Sequence, residues 1–471
     1  MVKNMGLFFI ASFGTKFLSF FLVPLYTSLV STEDYGTADY LNTIISLFLP
    51  VLMLDISDAI MFVSFRADTL ADKRQPLLYG DKILRVSSLL LAAVLAVICL
   101  IADQKTILIY CVYILVRYFL DAFYLNIHAY MRATNAVHII TVSSILSSAT
   151  MLILNVVLIV YFKLGLYALL ISSLAGLLVS NLYCIIKTKY WSFARTPLTL
   201  TSEQKKQMLS YSIPLVFSGL AWWVNSSLDK FFITHYCGIG ANGIYAMANK
   251  IPTLLNAVHT VIYQAMQLSV FSEMKAKDSK EYMTRLYSIY NFVMVMACSV
   301  LIILDKPMAK YLFKGDYYVA WQYVPIMLLS AAMFSVAGYI TIIATATKDT
   351  TTIATATISG AALNTLLNWL LIPKIELLGA TIATAAGYFI VWLVLMLNAE
   401  KKLGVRFSKF KSMAMYALLA VQWIVLLIGK HIIGLEGVLF VALCLLNLDT
   451  IRDLFGITVR LLRSILVKKK A

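Results

Sequence analysis

Stretches of about twenty apolar residues recur along the whole chain, separated by short polar loops. A helix needs roughly that length to cross the hydrocarbon core of a bilayer. The runs therefore specify an all-α membrane protein with about fourteen transmembrane helices. We place them at 6–29, 40–64, 84–102, 106–130, 138–162, 166–186, 208–234, 244–271, 285–304, 321–345, 351–372, 379–398, 413–429 and 433–448. Composition supports this. Of 471 residues 61% are apolar and 13% charged, where a soluble domain carries about 25% charged residues. The first run, Gly6 to Val30, exceeds the apolar region of a cleaved signal peptide and reads as a span.

The loops test the span count. With the N-terminus inside and sides alternating, 28 of the 39 Lys and Arg fall inside, seven outside and four within spans. Cytoplasmic loops retain basic residues, and one missed internal span would have mixed the two sets. Both termini are then expected in the cytoplasm. The same distribution explains the net charge of +16. It is spread through short loops rather than gathered in a basic domain, which argues against a nucleic-acid partner. The six cysteines are far apart and lie mostly inside apolar runs. They read as small core residues, with neither a disulfide framework nor a metal site.

The chain repeats itself. Asn155-Val-Val-Leu-Ile-Val in span five matches Asn368-Trp-Leu-Leu-Ile-Pro in span eleven. Each is followed by a Lys-containing loop, a glycine (Gly165, Gly379) and an Ala-Gly pair (Ala175-Gly176, Ala386-Gly387). At a similar shift, Gly36…Asn42-Thr-Ile matches Gly243…Asn249-Lys-Ile. An even number of spans per half gives parallel repeats related by an axis along the membrane normal. The expected organisation is a six-helix lobe at 1–187, a basic cytoplasmic linker at 188–207 and a second six-helix lobe at 208–399. Two further helices and a basic tail follow at 400–471. Two such lobes facing a central cleft are a transporter plan.

Some chemistry is missing from the sequence. It holds no G-x-x-x-x-G-K-[ST] phosphate loop, no H-E-x-x-H and no clustered Cys/His set, so ATP hydrolysis by that loop, a metal and a bound cofactor are not expected. The outer loops are short, the longest being about 305–320, which weakens a membrane glycan polymerase, an enzyme. The informative residues are ionisable groups at membrane depth, costly there and usually turned to a cavity or a partner. Lys16 lies in span one. Asp55 and Asp58 share a face of span two. Arg117 and Asp121 are spaced to pair in span four. Asp229 and Lys230 lie in span seven, and Lys250 in span eight. Internal salt bridging is one reading of Arg117–Asp121, and snorkelling to the interface is the plainer one for Asp229 and Lys230. Lys16 and Lys250 have no carboxylate three or four residues away, which favours a cavity role toward an anionic substrate. Trp222 and Trp223 sit mid-span, away from the interfacial belt, and either pack or stack on sugar rings. Pro24, Pro50, Pro214, Pro252 and Pro325 permit kinks, static or hinged.

Three stretches resemble a known family. They are Pro24-Leu-Tyr-Thr-Ser-Leu-Val-Ser-Thr-Glu-Asp-Tyr-Gly36; Asp229-Lys-Phe-Phe-Ile-Thr followed by Gly243-Ile-Tyr-Ala-Met-Ala-Asn-Lys-Ile251; and Ala362-Leu-Asn-Thr-Leu-Leu-Asn368…Ile372-Pro373…Gly379-Ala-Thr-Ile-Ala-Thr. In order and spacing they are similar to the Wzx-type O-antigen flippases. These form the polysaccharide branch of the multidrug/oligosaccharidyl-lipid/polysaccharide superfamily. The resemblance implies a MATE-like pair of lobes in the bacterial inner membrane that rock about a cationic cleft. The substrate it implies is an undecaprenyl-diphosphate-linked oligosaccharide, O-antigen, capsule or a similar glycan, carried to the outer leaflet. Partners would be glycan polymerase and assembly proteins, the lipid bilayer and a coupling cation. Lys16, Arg117, Lys250, Trp222 and Trp223 would meet substrate, while Asp55, Asp58, Asp121 and Asp229 would balance charge or bind the cation. Lipid II flippases of the superfamily have an Arg-rich first span. Here span one has only Lys16, which argues against lipid II. A cation-coupled drug antiporter stays open through Asp55 and Asp58, as does a scaffold in a glycan assembly complex.

Overall fold

The structure is a computed structural model that describes residues 20–102, 104–273, 278–347, 349–405, 407–429 and 432–456. Every regular element among them is helical. In chain order these are α1 (Val23–Leu29), α2 (Thr32–Met53), α3 (Ile56–Arg66), α4 (Leu70–Ala102), α5 (Lys105–Ala133) and α6 (Val137–Val156, continued by one π turn to Tyr161). There follow α7 (Leu166–Thr188), α8 (Ser202–Ser227), α9 (Asp229–Cys237), α10 (Ile239–Ala248), α11 (Lys250–Glu273) and α12 (Ser279–Ile303). The chain ends with α13 (Asp305–Leu312), α14 (Val324–Ala346), α15 (Thr350–Leu403), α16 (Lys409–Ile428), α17 (Ile432–Leu446) and α18 (Leu448–Gly456). Nine of the described helices are long and apolar enough to cross a membrane, and a bent pair, α17 with α18, adds a tenth. This is a multi-pass membrane protein. The first predicted span, Lys16 included, lies largely outside the described residues.

Two compact units divide the chain, Met1–Ala246 with Lys314–Tyr317 and Met247–Phe313 with Tyr318–Ala471. That division falls later than the 207/208 boundary expected from the repeat, because α8, α9 and most of α10 pack with the first unit. α8 packs on α2 and α3, and α10 meets α2 by a backbone contact. A Cβ placed on Gly36 would stand 2.0 Å from the Ile239 carbonyl oxygen, and one placed on Gly243 would stand 2.0 Å from the Thr32 carbonyl oxygen. The contact is reciprocal, residue for residue, at a constant shift of 207, as expected of a local twofold axis between repeated segments. Only glycine allows two helix backbones to meet this closely.

Each unit also contains one helical hairpin of the repeat, and the two turn alike. In the first unit α6 and α7 are joined through Gly165, at φ 50°, ψ −120°. In the second unit α15 is two arms broken at Ile375–Glu376, and Glu376 takes φ 50°, ψ −132°. Gly379, which the sequence pattern matched to Gly165, is not the turn residue. It lies in the second arm, where an added Cβ would be 2.6 Å from the Leu371 carbonyl carbon. Glu376 thus holds a backbone conformation that normally requires glycine, a strain of about 1–3 kcal/mol. Both hairpins are cross-linked by polar side chains: Ser172 donates to Asn155 at 2.9 Å in one, and Asn364 donates to Thr384 at 3.4 Å in the other.

The open end of the α15 hairpin is tied by charge. Asp349 caps its first arm, accepting from the Thr352 N–H at 3.2 Å, and Lys402 on the second arm lies 2.8 Å from the same carboxylate. The helices outside the repeat dock on the second unit's core. Tyr416 and Ser412 of α16 bond Asn291 of α12, and Tyr287 of α12 accepts from Trp392 of α15.

The glycine contact and the charged tie can each be tested by substitution. Gly36→Ala should destabilise the purified protein by about 1–3 kcal/mol through forced overpacking. Gly437→Ala, whose added Cβ meets nothing within 4 Å, should be neutral or stabilising. Equal melting temperatures for the two variants would remove the glycine contact as a determinant. The carboxyl of Asp349 is held below its usual range chiefly by the Lys402 hydrogen bond. A depressed carboxylate adds stability above its unfolded value, and that stability is lost as pH falls through the folded value. Asp349→Asn should therefore melt lower at neutral pH and lose less on acidification below about pH 4, as a pH series of melting curves would read.

Candidate functional site

The polar centre of the first unit is one face of α2. Asp39, Asn42, Thr43 and Ser46 follow the i, i+3, i+4, i+7 spacing that puts four side chains on one side of a helix. Other helices meet this face along its length. Lys230 of α9 stands 2.9 Å from Asp39. Asn242 of α10 donates to Asp39 at 3.2 Å and to the Gly36 carbonyl at 3.0 Å. Tyr113 of α5 donates to Asn42 at 3.0 Å and lies 3.1 Å from the Ser173 hydroxyl of α7. Trp223 of α8 donates its indole N–H to Ser46 at 3.0 Å. Asp229, next to Lys230, is buried and accepts from the Tyr245 hydroxyl and from the Lys230 N–H.

A second polar stripe descends α5 from Tyr113 through Arg117, Asp121, Tyr124 and His128. Arg117 pairs with Asp121 at 2.7 Å, and their side chains are 19% and 18% exposed. The pair is therefore neither sealed nor fully exposed. Below it Tyr124 faces Ser144 at 3.4 Å and His128 faces Ser143 at 3.3 Å. The histidine is thus spent on packing contacts. No group of three or more His, Cys, Asp or Glu among the described residues is arranged to hold a metal ion.

Predicted span two is broken where it carries its acids. Leu54 and Asp55 both take left-handed backbone conformations, φ 53° and 47°. α2 ends there and α3 begins, with Asp55 at its N-cap and Asp58 in its first turn. Two such non-glycine residues in succession persist only where the surroundings impose them. The positive end of a helix favours carboxylates, and discontinuous spans place such ends at membrane depth. Asp55 lies against α8, since a Cβ on Gly219 would be 3.2 Å from its Oδ2, while Asp58 is exposed.

The structure groups some predicted residues and separates others. Arg117, Asp121, Asp55, Asp58, Asp229, Trp222 and Trp223 all belong to the first unit, and Lys250 opens α11 in the second. Lys16 lies outside the described residues. Trp223 is 8% exposed and hydrogen-bonded into α2, and Trp222 is 54% exposed. Lys230, for which snorkelling was the plainer expectation, pairs with an acid on α2. Asp39 and Asn242 escaped attention in the sequence, though the polar spacing from Asp39 to Ser46 was a readable sign.

The chain matches the polysaccharide biosynthesis protein family over residues 1–275. It belongs to that family. It is 19% identical over 353 residues to an Lsg-locus protein of Haemophilus influenzae, covering 71% of this chain and 82% of that one. An uncharacterised membrane protein of Methanocaldococcus jannaschii is 23% identical over 279 residues, 56% of this chain and 55% of that protein's length. Among solved structures, the lipid II flippase MurJ in an inward closed conformation superposes with a TM-score of 0.71 at 15% identity. The match covers 95% of this chain and 99% of that one. A mutant of the Vibrio cholerae MATE transporter VcmN gives 0.56 at 15% identity over 88% and 98%. At those identities the likeness establishes the fold, which is the MATE- and MurJ-like one.

The Asp39–Lys230 pair generates a prediction. Lys230→Met should leave a partly buried carboxylate and cost about 1–3 kcal/mol, between the values for surface and buried pairs. Adding Asp39→Asn should recover part of that loss. A double-mutant cycle with no coupling between the two positions would deny the pair any part in holding α9 to α2.

Proposed function

We propose that this protein is a flippase for a lipid-linked oligosaccharide, moving it from the cytoplasmic to the outer leaflet of a bacterial inner membrane by alternating access. The observation that carries this reading is Arg117. It is a partly accessible guanidinium at membrane depth, one turn from Tyr113 with its partners Asn42 and Ser173, in a chain of the polysaccharide biosynthesis family. A guanidinium recognises phosphate oxygens bidentately, and the amide and hydroxyls beside it suit sugar hydroxyls. In this reading Arg117, Lys16 and Lys250 meet the diphosphate or an acidic sugar. Trp222 offers a face to sugar rings, while Trp223, buried and bonded to Ser46, packs α8 against α2. Asp55, Asp58, Asp121 and Asp229 balance those charges or hold a coupling cation. The carrier is undecaprenyl diphosphate, the glycan an O-antigen, capsule or similar repeat, and both termini lie in the cytoplasm. Energy comes from an ion gradient, the membrane potential or removal of product outside, and a glycan polymerase receives the product.

One observation favours a second reading. The left-handed break at Asp55 sets a carboxylate at a helix N-terminus within a span, an arrangement suited to a cation-coupled drug antiporter. The two readings separate by experiment. In cells lacking the gene, lipid-linked glycan should accumulate on the cytoplasmic face. The native gene should restore export, while Arg117→Ala, expressed at native level, should lower it about 10–100-fold. That is the weight of one lost charge-assisted bond of about 1.5–3 kcal/mol. Normal glycan export in the deletion strain, with loss of drug efflux instead, would transfer the assignment to the antiporter.

A further inference from the structure

The hairpin of α16 and α17 stands outside the sequence repeat and outside the site described above, yet it encloses a carboxyl group. Glu436 is 0% exposed, and so is Gln422 on the facing helix. Both carboxyl oxygens of Glu436, both polar atoms of the Gln422 amide and the Trp423 indole nitrogen are buried without a hydrogen-bond partner. The Gln422 amide lies beside the Glu436 carboxyl. The hairpin's register agrees with that placement. Nearer its other end Lys411 meets Asp449 at 2.6 Å, and Asn447 meets the Met415 sulfur at 3.1 Å. Buried polar atoms are paired in nearly all native structures, and an orphan cluster needs a reason. Ionisable groups at membrane depth are rarely idle.

The donor and acceptor inventory supplies the reason. An ionised Glu436 has only acceptors. It could take the Gln422 N–H, but Gln422 Oε1 would then have no donor and the hairpin would hold a net negative charge. Among the described residues no cation is bonded to either carboxyl oxygen. The groups on α12 past Arg285 are Tyr287, Tyr290 and Cys298. Tyr287 meets Ser412, and Tyr290 meets His259. On α16, Lys409 pairs with Glu400, Lys411 with Asp449, and Tyr416 donates to Asn291. α14 brings Tyr339, bonded to the Met283 carbonyl. On α17 and α18 the remaining titratable groups are Cys444, Asp449, Arg452 and Asp453, the last paired with Arg285. Arg452 is exposed on α18, two turns beyond Cys444. Lys306 of α13 donates to the Leu426 carbonyl, and that helix also carries Lys310 and the buried Asp305. One added proton resolves all four orphan atoms of the pair. With the two side chains drawn to bonding distance, the carboxyl O–H would donate to Gln422 Oε1 and the Gln422 N–H to the carboxyl C=O, a cyclic acid–amide pair.

We propose that Glu436 and Gln422 form a proton-binding site in the α16–α17 hairpin, occupied while the hairpin is closed. Opening the hairpin admits water, which takes the proton, and closure demands that a proton return. The site does not depend on the identity of the transported substrate, so its failure would leave the flippase reading untouched.

Infrared spectra of the purified full chain at pH 7 test it. The native protein should show a protonated-carboxyl C=O band that is missing from Glu436→Gln, whose amide–amide pair keeps the hydrogen-bond pattern and hence the melting temperature. Gln422→Leu should retain that band but shift it to the position of an acid without its amide partner. An unchanged band in a folded Glu436→Gln protein would overturn the proposal. If that variant does not fold, an unshifted band in Gln422→Leu would overturn it instead.

Discussion

Inside hydrocarbon a backbone has no water to bond, so each segment must satisfy its own N–H and C=O groups or leave them to a protein neighbour. The rest of the molecule depends on that constraint. It makes every described element a helix. It also makes the exceptions informative. The left-handed pair Leu54–Asp55 interrupts a span against α8, and the break at Ile375–Glu376 turns a hairpin against its own second arm. The first break is packed against protein and carries an acid, and the second is an exposed turn.

Within the first unit, helices cannot be held by hydrophobic burial alone, since the lipid is as apolar as their surfaces. Close backbone approach and polar side chains hold them instead. Gly36 and Gly243 bring α2 and α10 into backbone contact. The α2 face from Asp39 to Ser46 then supplies polar partners to α5, α8, α9 and α10. Tyr113, which ties α5 to Asn42 of that face, lies one turn from Arg117. The carboxylate is not duplicated with the scaffold: at the constant shift of 207 Asp39 falls on Ala246, while Asn42, Thr43 and Ser46 fall on Asn249, Lys250 and Thr253.

The second unit shows a different use of the repeat. Its hairpin copies the first, down to the backbone angles at Gly165 and Glu376, and adds an ion pair across its open end. The appended α16 docks on α12 through Asn291, Ser412 and Tyr416, and with α17 it encloses Glu436.

Much of this was legible in the sequence because its causes are local. Run length sets helix class, hydropathy sets the membrane, and short-range spacing paired Arg117 with Asp121 four residues on. The repeat was legible too, since duplicated helices keep their packing residues. What needed the tertiary structure was every contact between residues far apart in the chain. Sequence alone could not pair Lys230 with an aspartate 191 positions earlier. Nor could it set Gly36 against its own repeat partner, identify Glu376 rather than Gly379 as the turn residue, or show that Gln422 faces Glu436. Those relations depend on which helix faces come together, and a helix's own periodicity says which residues share a face but not which neighbour that face will meet.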